Sequence, residues 1–123
     1  MYTVLRFCGR ADKIEDIGQH LNVIAPGTYT RPDRVGGRFS CVISEGDSWQ
    51  EHRDKLEEKI SQFAQVIERA HSFEFALEID IAIEPEDYGA RRLTEVSLDE
   101  DLLRTLEHHR ISVSVSVYGL GDM

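Results

Sequence analysis

The sequence predicts an α+β fold: a two-layer sandwich in which three helices cover one face of a four- or five-stranded mixed sheet. Three observations carry this reading. Strand-like and helix-like segments alternate along the chain, which argues for helices packed on a sheet. Two of the strands alternate apolar and polar residues without a fault, so the sheet has one dry face and one wet face. No linker, low-complexity tract or composition break divides the 123 residues, so residues 1–123 form a single domain. A short hairpin strand at Thr28–Thr30 would make the arrangement ferredoxin-like. The alternative, a parallel sheet covered on both sides, needs strands that are apolar on both faces.

Tyr2–Gly9 has the aromatic and β-branched content of a strand and stops at Gly9. Asp12 and Glu15 have the spacing of a capping box, and Ile14, Ile17 and Leu21 give the helix that follows one apolar stripe. Pro26, Gly27, Pro32, Gly36 and Gly37 make Ala25–Gly37 mostly turn. Arg38–Ser44 reads as a strand with Phe39, Cys41 and Ile43 on one side. Ser48 and Glu51 form a second capping box at the head of the longest element. Trp49, Leu56, Ile60, Phe63, Ala64, Ile67 and Ala70 share one face of it, so a single helix of roughly 34 Å is expected.

Phe73–Ile83 alternates throughout, with Phe73, Phe75, Leu77, Ile79, Ile81 and Ile83 on the dry side and Glu74, Glu78 and Asp80 on the wet one. A polar loop over Glu84–Val96 leads to a third capping box at Ser97 and Glu100. Leu98, Leu102, Leu103 and Leu106 then form a buried stripe. Ile111–Tyr118 closes the chain as a strand, with Ile111, Val113, Val115 and Val117 inward and Ser112, Ser114, Ser116 and Tyr118 outward.

Composition narrows the function. The formal net charge is −9, and a surface this acidic repels nucleic acid and anionic membranes. No apolar run reaches the length of a membrane span, and the first residues lack a signal-peptide pattern. Two cysteines, Cys8 and Cys41, are too few for a disulfide scaffold, so a cytoplasmic location with reduced thiols is expected. The charge is uneven: residues 1–44 carry six basic and four acidic side chains, residues 45–123 eight and nineteen. Such asymmetry either keeps the protein soluble or presents a negative field to a basic partner.

Motifs for chemistry are sparse. His108 and His109 are adjacent on a helix end, diverge by about 100° and are expected to favour the helix C-terminus as cations. His52 lies beside the apolar stripe of the long helix; it is read as a partly buried histidine, and is the sole acid–base candidate if the protein were an enzyme. His20 and His71 lie near helix ends and suggest nothing specific. No cysteine or histidine spacing suits zinc, and Glu84-Pro85-Glu86-Asp87 lacks the rhythm of a calcium loop. Gly-x-Ser-x-Gly, Gly-x-Gly-x-x-Gly and Walker motifs are missing, and Gly119-Leu120-Gly121 reads as a fraying tail. No metal, cofactor or catalytic residue is therefore expected.

Two surfaces stand out. Glu74, Glu78 and Asp80 align on the wet face of one strand beside Tyr118 and the serines of the last strand, and three like charges there would be relieved by a cationic partner. Arg31, Arg34 and Arg38, with Tyr29, sit on a glycine-containing turn. They are suited either to gripping a carboxylate or phosphate or to pairing with the protein's own acidic groups.

The Tyr2–Gly9 strand, the helix ending at Leu21, the Pro26-Gly27-Thr28 turn, the Trp49–Leu56 helix with His52 and the Asp101–Tyr118 segment together resemble a bacterial family of uncharacterised domains, domain of unknown function 4279. Asn22 stands where such sequences often have glycine, and Phe39 near where they often place tryptophan. The resemblance brings no catalytic residues with it. By analogy with other small acidic bacterial proteins, it implies a non-enzymatic immunity protein that neutralises a basic toxin by direct binding. The alternative is a regulatory domain that binds an anionic small molecule through Tyr29, Arg31, Arg34 and Arg38. An open sheet edge could also pair two copies as a homodimer.

Overall fold

The computed structural model describes residues 1–46, 48–84 and 95–118. Within them the chain runs β1 (Tyr2–Cys8), α1 (Ala11–Ile24), β2 (Arg38–Glu45), α2 (Trp49–Gln62), α3 (Ala64–Ser72), β3 (Ala76–Ile83), α4 (Glu100–His108) and β4 (Ile111–Val117). The four strands form one open mixed sheet in the order β2-β1-β3-β4. Strand β1 pairs antiparallel with both β2 and β3, while β3 and β4 are parallel, with α4 in the connection between them. The acidic Glu84–Asp87 run and the Gly119–Gly121 tail lie outside the described residues, apart from Glu84.

The core follows from the period-2 pattern. Leu5 and Phe7, Cys41 and Ile43, Leu77, Ile79 and Ile81, and Ile111 all point to the same side of the sheet. There they meet Ile14, Ile17 and Leu21 of α1, Leu56 and Ile60 of α2, Val66, Ile67 and Ala70 of α3, and Leu102 and Leu106 of α4. Every helix thus contributes its apolar stripe to one cluster, an arrangement consistent with two layers.

Among the described residues the helices number four, because the long element expected from Ser48 to Ala70 breaks at Phe63, whose backbone leaves helical values (φ −96°, ψ 10°). Strands of seven or eight residues span only about 25 Å, so one straight helix of roughly 34 Å would overhang the sheet. With the break, α2 packs over β2 and β1, while α3 turns to pack against α1 and β3. The Phe63 side chain itself is buried in the core. Arg69 then ties α3 to α1 through a two-pronged bond to Asp16 (2.5 and 2.7 Å), whose carboxyl it holds below its ordinary pKa.

The ferredoxin-like expectation depended on a strand at Thr28–Thr30, and none forms there. The Tyr29 backbone spends its donor and acceptor on the side chain of Asn22 (2.8 and 2.7 Å) instead of on a neighbouring strand. The Tyr29 ring lies flat on α1 at Gly18, where any β-carbon would overlap it. The order β-α-β-α-α-β-α-β therefore departs from the β-α-β-β-α-β pattern.

Helix ends also differ from the capping-box pattern. Helix α1 starts after Arg10, and Asp12 pairs with Arg10 (2.7 Å) in place of capping. Ser48 does occupy the N-cap of α2, although its hydroxyl makes no capping bond. At α4 the cap is Asp99, which accepts from the Leu102 amide (2.9 Å), while the Ser97 carbonyl accepts from the Trp49 indole (2.9 Å).

Candidate functional site

The face of the sheet turned away from the helices carries Tyr2, Val4, Arg6 and Cys8 of β1, Glu78, Asp80 and Ala82 of β3, and Ser112, Ser114 and Ser116 of β4. Register places Arg6 directly across from Glu78. Its guanidinium donates to Glu78 Oε1 at 2.8 Å and to Asp80 Oδ2 at 3.3 Å. Ser116 Oγ donates to the other Asp80 oxygen at 2.9 Å, with Ser114 Oγ at 3.4 Å. Asp80 is left only 4% exposed. The Tyr118 hydroxyl bonds that of Tyr2, and this bond, more than burial, raises the Tyr2 pKa above its ordinary value.

This geometry corrects the expected row of three repelling carboxylates. Glu74 is not on the strand: it holds the left-handed position (φ 63°) of a Schellman turn that ends α3, with Glu74 N–H donating to His71 O and Phe75 N–H to Ala70 O. Glu78 and Asp80 are on the strand but are answered by Arg6 from the neighbouring one. Of the four residues assigned to a docking plane, Glu74, Glu78, Asp80 and Tyr118, only Glu78 and Tyr118 offer substantial exposed surface on this face.

The arginine turn divides in a similar way. Tyr29 is 5% exposed; its hydroxyl donates to Glu15 (2.9 Å) and its ring meets Phe39 edge-on, so it belongs to the core. Bonds from Gln19 and Tyr29 hold the Glu15 carboxyl below its usual pKa. Arg31, Arg34 and Arg38 are exposed and make no ion pair among the described residues. Arg38 also borders a dip of about 250 Å³ on the open face, together with Arg6, Cys8, Ala76, Glu78 and Ser112.

None of the histidines gathers partners for chemistry. His52 is fully buried, with Nε2 bonded to the Gly46 carbonyl (3.0 Å) and Nδ1 without a partner among the described residues. His108 and His109 meet edge-to-face at 4.9 Å, and burial together with the neighbouring His108 lowers the His109 pKa, the opposite of a helix-end cation. Among the described residues no group of His, Cys, Asp and Glu has metal-site geometry. The Cys41 thiol is pushed up to about 12 by burial, which makes it a poor nucleophile.

A third surface lies where α2 meets α4. Arg53 of α2 pairs with Asp99, the cap of α4, and reaches Glu57 at 3.3 Å. With the Trp49–Ser97 bond, this seam joins the first halves of both helices. Residues 49–58 and 95–104 carry eight acidic side chains against three basic ones. Leu103, one turn beyond Asp99 on the same side of α4, is 46% exposed despite its place in the expected buried stripe. The sequence held both acidic clusters, but nothing in it indicated that they share a seam. Comparison with family models, with curated proteins and with solved structures finds no match.

Proposed function

We propose that the protein is a non-enzymatic binding protein that engages a basic partner protein, as an immunity protein neutralises a toxin by direct binding, and that it does so through the α2–α4 seam. The observation that carries this is the adjacency of two acidic segments, residues 49–58 on α2 and residues 95–104 leading into α4, with five more negative than positive charges, around an exposed leucine and a half-buried tryptophan. Apolar anchors ringed by like charge suit an interface: the leucine and tryptophan supply contact area, and the field steers an oppositely charged partner. The open sheet face suits this less well, because both of its β3 carboxylates, Glu78 and Asp80, are already paired with Arg6.

The experiment is capture from native-host lysate with immobilised protein, followed by identification of what binds. A basic protein is expected, with affinity that falls as salt rises. Reversing Asp54, Glu58 and Asp101 to Lys should slow its association, whereas Glu78→Lys should change it little. A partner that is acidic, or one that ignores the triple reversal but is lost with Glu78→Lys, overturns the assignment.

A second reading rests on the arginine turn. Among the described residues, Arg6, Arg10, Arg53, Arg69, Arg104 and Arg110 each have a carboxylate partner, whereas Arg31, Arg34 and Arg38 do not. On this reading the turn takes an anionic small molecule. Thermal unfolding across a panel of phosphate, sulfate and citrate tests it: a shift that Arg34→Ala abolishes supports a site, and a flat panel rejects it.

A further inference from the structure

Strand β4 is an edge of the sheet, paired through all seven residues to β3. The other edge, β2, has the features that discourage strand addition: Arg38 and Glu45 at its ends and a shift of register against β1. Strand β4 has none of them. Its residues Ile111–Val117 include no charge and no proline, its register with β3 is unbroken, and Val115 and Val117 are 48% and 40% exposed. An uncharged, regular, β-branched edge of this kind is a template for another strand.

We propose that this edge pairs with the same edge of a second copy, antiparallel about a two-fold axis at Ser114, so that two four-stranded sheets become one of eight. The strand is self-complementary under that operation. Ser112 falls opposite Ser116, Val113 opposite Val115, Ile111 opposite Val117, and Ser114 opposite itself. Opposed residues in an antiparallel pair share a face, so apolar side chains meet apolar ones on the helix side and hydroxyls meet hydroxyls on the open side. Such a match specifies a second copy, because an isologous contact needs each surface to complement itself. Charge selects the same line of approach. Two chains of net charge −9 repel each other over most of their surfaces, but neither brings a charge within this strand.

Light scattering coupled to size exclusion, from micromolar to near-millimolar protein, tests the inference. The expected result is a dimer that tightens as salt rises, the reverse of the salt response expected for a basic partner at the helix seam. Val115→Lys, at a position half-exposed in the single chain, should yield a monomer with an unchanged circular dichroism spectrum. Ser114→Cys in a Cys8→Ser background should form an intersubunit disulfide on oxidation, because the two-fold brings the paired β-carbons to about 5 Å. A wild-type monomer at every concentration overturns the proposal, as does a dimer that survives Val115→Lys and leaves Ser114→Cys uncrosslinked. Should Val115→Lys fail to fold, the Ser114→Cys cross-link decides the matter alone.

Discussion

The open face of the sheet and the α2–α4 seam are both rich in carboxylates, but they treat that charge differently. On the sheet, antiparallel register places Arg6 opposite Glu78, its guanidinium also reaches Asp80, and two serines complete the bonding of Asp80. The charge there is consumed internally. At the seam, Arg53 is spread over Asp99, Glu57 and Asp54, while Arg104 serves both Glu100 and Asp101, and a negative surplus remains. Local counting of carboxylates is therefore a poor guide to where a protein is electrostatically open. What matters is whether a cation arrives from the adjacent element.

The comparison breaks most visibly at Arg6. Arg6→Ala leaves Asp80 buried with only hydroxyl donors, and removing one member of a largely buried pair is costly. A loss of about 3 kcal/mol in urea unfolding is expected, discounted little because Asp80 is so well shielded. Arg6→Ala combined with Asp80→Asn should recover part of that loss, since the amide still accepts from Ser116 without carrying a charge. If Arg6→Ala costs no more than an exposed arginine does, the open face is not internally neutralised, and it regains its claim as a docking plane.

Much of this fold was legible in the sequence because period-2 and period-3.6 patterns report burial directly. Ile111–Val117 and Leu77–Ile83 could be oriented face by face, and Ile14, Ile17 and Leu21 fell where their spacing placed them. What stayed hidden were facts about pairing between elements. The outward position of Arg6 follows from alternation in Tyr2–Cys8, yet its meeting with Glu78 depends on β1 lying next to β3. Tyr29 looked available on a turn of glycines and prolines, and only the third dimension shows its ring seated on Gly18 and its backbone held by Asn22. The break at Phe63 was equally silent, because Ala64, Ile67 and Ala70 keep the helical period across it.

At the seam, acid is the sharper probe. Arg53 and the Leu102 amide hold the Asp99 carboxyl at about 2, below the ordinary value of about 3.9. A lowered folded-state pKa gives stability that is complete above the unfolded value and lost as pH falls from about 4 towards about 2. Asp99→Asn should therefore flatten that part of the stability curve while leaving the difference between pH 6 and pH 8 unchanged, read by thermal unfolding across the range. An acid limb identical to wild type would mean that the pairing of Arg53 with Asp99 does not anchor the seam.

The smallest effect is expected at Arg104, and its smallness separates the two regions. The side chains of Arg104 and of its partners Glu100 and Asp101 are all more than two-thirds exposed. Exposed pairs of this kind contribute about 0.5 kcal/mol or less, because water and salt screen them and the long side chains lose freedom in forming them. Arg104→Ala should thus leave the unfolding midpoint nearly unchanged. It also removes a positive charge from the acidic seam, so association with a basic partner should become faster at low salt even as stability stays level. A variant that loses several kcal/mol would place Arg104 in a structural role comparable to that of Arg6. The contrast between a sheet face that uses its charge internally and a helix pair that displays it would then fail.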